Sequence, residues 1–162
     1  TAVDYDPKDE KSIQFFKIVQ NKLHYATHGH TASEVIYERA DADKPFMGLK
    51  TFSGDFPVRK DITVAKNYLD EKELKVLNNI VSGYFDFAEI QAMRHNPMYM
   101  SDYVEHLDNV LKATGENVLD SAGKVSRAQA MAKANEEYRK YQVKNLSPVE
   151  EEYLLMINDI EK

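Results

Sequence analysis

Apolar residues recur at three- and four-residue spacing through most of the chain, and this pattern predicts about six helices. The first is read from the Asp6–Pro7 signal, with Asp6 as its cap and Asp9 and Glu10 complementing the positive end of the helix dipole. Phe16, Val19, Leu23 and Ala26 form its stripe, and Gly29 ends it. A second follows at once, opened by a Thr31/Glu34 capping box and lined inward by Ala32, Val35, Ile36 and Ala40, with Pro45 as its stop. The third, capped by Asp70 and running Glu71–His95, is apolar around most of its circumference. Such a helix is expected to be buried, so it is placed at the centre of the molecule. After Asn96–Pro97, Ser101 is read as the cap of a fourth helix with Tyr103, Leu107, Val110 and Leu111 inward, closed by Gly115. Ser126 is read as the cap of a fifth, whose inner face is Ala128, Met131, Tyr138 and Tyr141, reaching about Asn145. Ser147–Pro148–Val149–Glu150 opens the last, with a stripe of Val149, Tyr153, Ile157 and Ile160.

One stretch breaks the pattern. Phe46–Val64 is rich in glycine, proline and β-favouring residues. It reads either as a small hairpin, Met47–Phe52 with Val58–Val64, or as an ordered loop laid over the helices. The fold class is therefore mainly α, a helical domain with one hairpin or irregular excursion near residues 46–64.

Length and composition narrow the setting. At 162 residues the chain fits one domain, 1–162, with 1–6 as a linker remnant. It begins without Met and is expected to be the C-terminal piece of a longer protein. Cysteine is absent, which excludes disulfides and thiolate metal sites and agrees with a reducing, cytoplasmic setting. No apolar run approaches the ~18 residues of a membrane span. The formal net charge of −6 lowers the expectation that this chain by itself grips DNA.

The candidate chemistry is concentrated in HYATHGHTASEVIYERAD, His24–Asp41, which holds three of the five histidines. His24 and His28 are one helical turn apart and share a face, a spacing that can chelate a divalent ion. Glu38 lies on the acidic stripe Glu34–Glu38–Asp41 of the next helix and is the candidate third ligand. The plainer reading gives Glu34 to the capping box and His28 to the helix dipole. A second constellation, Asp86, Glu89 and Arg94, lies on the third helix. Carboxylates on a buried helix need solvent, a cation or an arginine, and Arg39 and Arg94 are candidates. An internal ion-pair network is the plain account there, and an acid/base pair in a cleft the sharper one. The fifth helix is locally basic, for which a charge-mixed solvent face is the ordinary explanation.

Long strings of the chain resemble the RhuM family of bacterial virulence-associated proteins: FFKIVQNKLHYATHGHTASEVIYERADADKPFMGL, VAKNYLDEKEL, FDFAEIQAMRHNPMYMSDYVEHLD and SAGKVS. They run from about Phe15 to Tyr141. The resemblance implies a protein borne on pathogenicity islands and other mobile elements, with a DNA-binding region N-terminal to the part represented here. This chain is expected to correspond to the C-terminal domain that follows that region, and the family supplies no catalytic residues to carry over.

Two functions are expected from different classes. The first is a non-enzymatic effector, oligomerisation or partner-binding domain of a DNA-binding protein, with a homo-oligomer or a protein as partner. The second is a metal-dependent hydrolase, most plausibly a nuclease, in which His24, His28, Glu38, Asp86 and Glu89 bind the ion or move protons. Arg39 or Arg94 would then hold phosphate.

Overall fold

The computed structural model of the chain describes residues 2–113, 115–116, 118–119, 121–145 and 148–161, the side chains of 148–151 and 161 excepted. It contains α1 (Glu10–His28), α2 (Ala32–Arg39), α3 (Glu71–Met93), α4 (Met100–Ala113), α5 (Arg127–Lys144) and α6 (Pro148–Glu161). No strand occurs among the described residues, so the mainly-α reading holds.

Helix starts follow the capping chemistry closely. The Thr31/Glu34 box opens α2, an Asp70/Glu73 box opens α3, and a Ser126/Gln129 box opens α5. Two starts differ from expectation. The cap of α1 is Asp9, which accepts from the Lys11 N–H, while Asp6 accepts from Lys8 in a turn upstream. Ser101 lies inside α4, which begins at Met100, and the Asp102 carboxylate accepts from the Tyr99 N–H. The expected cap Ser147 lies outside the described residues.

Residues 45–69 form no hairpin. They make two 3-10 turns, Pro45–Gly48 and Ala65–Tyr68, joined by loop. Local partners satisfy their backbone: Asn67 O accepts from Lys50 and Thr51, and the Tyr68 hydroxyl donates to Ile62 O. Phe46 and Met47 both take the left-handed conformation, at φ 53° and 48°. That costs on the order of 1–3 kcal/mol per residue and needs support from its surroundings. Met47 is fully buried and its carbonyl accepts from Asp41 N–H. Gly48 is pressed onto the end of α2, where a Cβ would stand 2.1 Å from Arg39 O.

These contacts make α2 the hub. Val35, Ile36 and Ala40 are buried against Ala130 and Ala134 of α5 and against Met47, Ile62, Tyr68 and Leu69 of the excursion. The buried row of α5 is Ala130, Ala134, Glu137 and Tyr141, with Tyr138 beside it. Ala128, expected inside, is exposed and Met131 is half-buried.

The expectation of a central α3 is overturned. Only Leu77 and Tyr84 of that helix are buried, while Phe85 is 65% exposed and Met93 71%. Among the described residues, α1 and α4 are the helices that pack on it most, and they cover limited faces. Its apolar residues instead line an open groove of about 520 Å³ with Phe15, Phe16 and Val19 of α1 and Tyr103 of α4. Helix α6 is also bare: Tyr153, Leu155, Met156 and Ile160 are exposed. Of its expected stripe, Ile157 alone is half-buried among the described side chains.

Candidate functional site

The site forms where α1 ends and α2 begins. Gly29, in the left-handed conformation at φ 81°, closes α1 and turns the chain so that three histidines stand in one row. His24 Nδ1 and His28 Nε2 lie 3.1 Å apart, and the His28 and His30 rings stack with centroids 6.0 Å apart. A neutral imidazole has one N–H and one bare nitrogen, so the pair shares a single hydrogen bond. Burial pushes both His24 and His28 down to about 4, and for His28 the neighbouring His24 adds to the effect. Both are therefore neutral at pH 7.

The carboxylates are divided between roles. Glu34 Oε1 accepts from Thr31 N–H and Oε2 from Lys124 N–H, tying α2 to the segment before α5. Burial works to raise its pKa, but those two backbone donors bring it below the usual carboxylate range. Glu38 is exposed and faces His30 at 3.5 Å, rather than the His24–His28 pair. Glu73, which sequence reasoning did not select, is the carboxylate nearest in effect to His28. Arg39 grips it through two bonds of 2.7 Å each and donates to Tyr68 O at 3.0 Å. This Arg39 fork, opposed only partly by burial, holds Glu73 down to about 2. The signal for Glu73 was present in the Asp70–Glu73 capping box, which accounts for its position but says nothing of Arg39.

Asp86, Glu89 and Arg94 are exposed near the other end of α3. Thirteen residues separate Asp86 from Glu73, about 20 Å along a helix. The structure thus brings together His24, His28, His30, Arg39 and Glu73, with Glu38 at the edge, and leaves the Asp86–Glu89–Arg94 group apart. Among the described residues, no group of three or more His, Asp or Glu side chains is arranged to hold a metal ion. What the cluster can do is hold one proton between two imidazoles beside an ionised, clamped carboxylate. A second proton would put two N–H donors face to face.

A mainly-α domain built on a short hub helix, with a buried and a half-buried histidine paired at the end of α1, is the class these observations define. The chain belongs to the virulence protein RhuM family, whose model matches residues 1–148. No curated protein and no solved structure matches it.

Proposed function

We propose that this domain is a non-enzymatic self-association module within a DNA-binding protein borne on mobile elements, with a second copy of the chain as its partner. One observation carries the reading: among the described residues, an open apolar groove and a helix with an exposed apolar face occur in the same chain. The groove between α1, α3 and α4 is about 520 Å³ and is lined almost wholly by hydrophobic side chains. Helix α6 exposes Tyr153, Leu155, Met156 and Ile160. A 14-residue helix is marginal in water unless its apolar face is buried. Contiguous apolar surfaces of this kind mark interaction sites. Reciprocal insertion of α6 into the groove of a second copy would satisfy both surfaces with two-fold symmetry.

The hydrolase reading draws less support from the geometry. His24 and His28 spend their facing nitrogens on each other, Arg39 is committed to Glu73, and Asp86, Glu89 and Arg94 stand apart.

Light scattering across a concentration series tests the proposal. The parent chain should be a dimer. A chain ending at residue 146 and a Phe85→Glu variant should each be monomeric. Mixed together, those two should form a weak heterodimer, because one supplies a helix and the other an intact groove. A parent that stays monomeric at several hundred micromolar, or a truncated chain that still dimerises, would overturn it.

A further inference from the structure

We propose that the face built by residues 42–69 and α5 binds single-stranded nucleic acid, with phosphates along Lys44, Lys50 and Lys144 and bases stacked on Phe46 and Phe56. The first ground is charge. Residues 42–69 and 121–145 contain eleven of the 21 Lys and Arg but only five of the 27 Asp and Glu. A chain of net charge −6 therefore carries a formal +6 on these two segments and −12 on the rest.

The two segments form one surface. Lys144 pairs with Asp43, and the Arg59 guanidinium lies 5.8 Å from the centre of the Tyr138 ring. Four of the five acids on these segments are engaged, and the fifth, Asp55, is exposed at the tip of the excursion. Asp43 is taken by Lys144, Asp61 accepts from Val58 N–H, and Glu136 and Glu137 both pair with Lys140. Lys44, Lys50, Lys60, Lys66 and Arg139 are exposed with no ion-pair partner among the described residues.

The second ground is shape. A cleft of about 430 Å³ between the excursion and the end of α5 is lined by Lys44, Phe46, Phe56, Tyr141 and Lys144. A second, of about 340 Å³, is lined by Arg39, Lys44, Lys50 and Glu73. Both include Lys44 and Pro45, so they adjoin at the Pro45–Gly48 turn as one trough; its acids are Asp43, paired with Lys144, Glu73, clamped by Arg39, and Asp70, the cap of α3.

The third ground is the aromatic pair. Phe56 is 61% exposed and Phe46 40% exposed, with ring centroids 6.4 Å apart at the trough. Phe46 is held there by the left-handed turn whose next residue, Met47, is fully buried. The same turn buries Met47 and seats Gly48 on α2, and it leaves Phe46, packed on Phe52 at 4.9 Å, partly open to solvent beside Phe56. Cationic grooves with aromatic platforms bind single strands, because every base offers a π face while a duplex keeps its faces stacked inside. An acidic peptide would use the lysines but has no use for the rings, so the nucleic acid is favoured.

Fluorescence anisotropy with labelled dT20 and rU20 tests this on the full chain, with a 20-base-pair duplex, inorganic polyphosphate and polyglutamate as competitors. Binding of at least one single strand is expected, tighter than the duplex and weakened on the order of 10- to 30-fold between 50 and 200 mM salt for three phosphate contacts. Phe56→Ala should weaken it by about 5- to 150-fold, the range of one lost stacking platform. Lys44→Glu with Lys50→Glu should weaken it by at least about tenfold. Lys72→Glu with Lys75→Glu, on α3, should change it less than about twofold. The relative strength of dT20 and rU20 then says whether DNA or RNA is the natural strand. Circular dichroism checks that each variant folds, and Phe56→Tyr, which keeps the platform, should restore binding. No binding at 50 mM salt, a preference for duplex, equal competition by polyphosphate or polyglutamate, or an unchanged Phe56→Ala variant would each overturn the proposal. Because the trough and the α6 groove are separate surfaces, failure here leaves self-association standing, and the reverse.

Discussion

At the scale of single residues, the His24–His28 pair makes stability depend on pH in a window that can be named. His24 is 3% exposed and both histidines are lowered to about 4, against an ordinary value near 6.5. Between those values the unfolded chain binds protons that the folded chain refuses, so stability rises with pH from about 4 to 6.5 and is flat above. For His24 the full shift corresponds to at most about 3 kcal/mol, and less for the more exposed His28. Urea midpoints measured from pH 4.5 to 7 should climb through this window, and His24→Leu should flatten the climb. Glu73 acts lower: its depressed value of about 2 adds stability that is complete above about 4.5 and lost as pH falls through the folded value. Lys22 is a second buried charge, joining Asp108 of α4 at 2.9 Å and Leu119 O at 2.7 Å. Asp108→Ala should cost about 3 kcal/mol in urea unfolding, since it strands the ammonium, whereas adding Lys22→Met should recover most of the loss.

At the scale of elements, two glycines separate backbone strain from steric clash. Gly29 has a left-handed φ with open space around its missing Cβ, and Gly48 has a left-handed φ with a backbone oxygen 2.1 Å from where a Cβ would sit. Gly29→Ala should cost only the conformational penalty, about 1–2 kcal/mol. Gly48→Ala should cost more, roughly 3 kcal/mol or above, because it must also lift the Pro45–Gly48 turn off α2. Denaturant unfolding of the two variants would compare them directly. The sequence made Gly29 legible as a helix stop, but nothing local marked Gly48, whose constraint comes from Arg39 nine residues away. The same division runs through the fold. The Thr31 box and the caps at Asp70 and Ser126 were readable because a cap depends on four neighbouring residues. The place of α3 was not, because an all-round apolar helix states a demand for cover without saying whether its own chain supplies it. The histidine row was legible from spacing, and its partner Glu73 was not, because that pairing is set by how α1 and α2 pack on the start of α3.

At the scale of the whole molecule, the uneven distribution of charge gives the two proposed surfaces opposite responses to salt. Helix α6 spans five carboxylates and no lysine or arginine, and residues 70–120 add a further formal −6. Two copies of a chain with net charge −6 repel as they approach, while burial of the groove and α6 draws them together. Salt screens the repulsion over a Debye length of about 8 Å at 0.15 M and leaves the apolar contact nearly untouched. Self-association should therefore tighten between 50 and 300 mM NaCl, whereas single-strand binding at the trough should weaken over the same range. Sedimentation velocity and anisotropy on one preparation would follow both. Association that weakens with salt would mean that ion pairs, not the α6–groove contact, hold the copies together. The opposed trends also fix how the surfaces can coexist in an assembly. If α6 exchange occupies the α1–α3–α4 side, the basic trough on the α2–α5 side stays open in each copy. A dimer should then bind a strand long enough to reach both troughs more tightly than the residue-146 truncation does, and lose that advantage on a strand too short to bridge them.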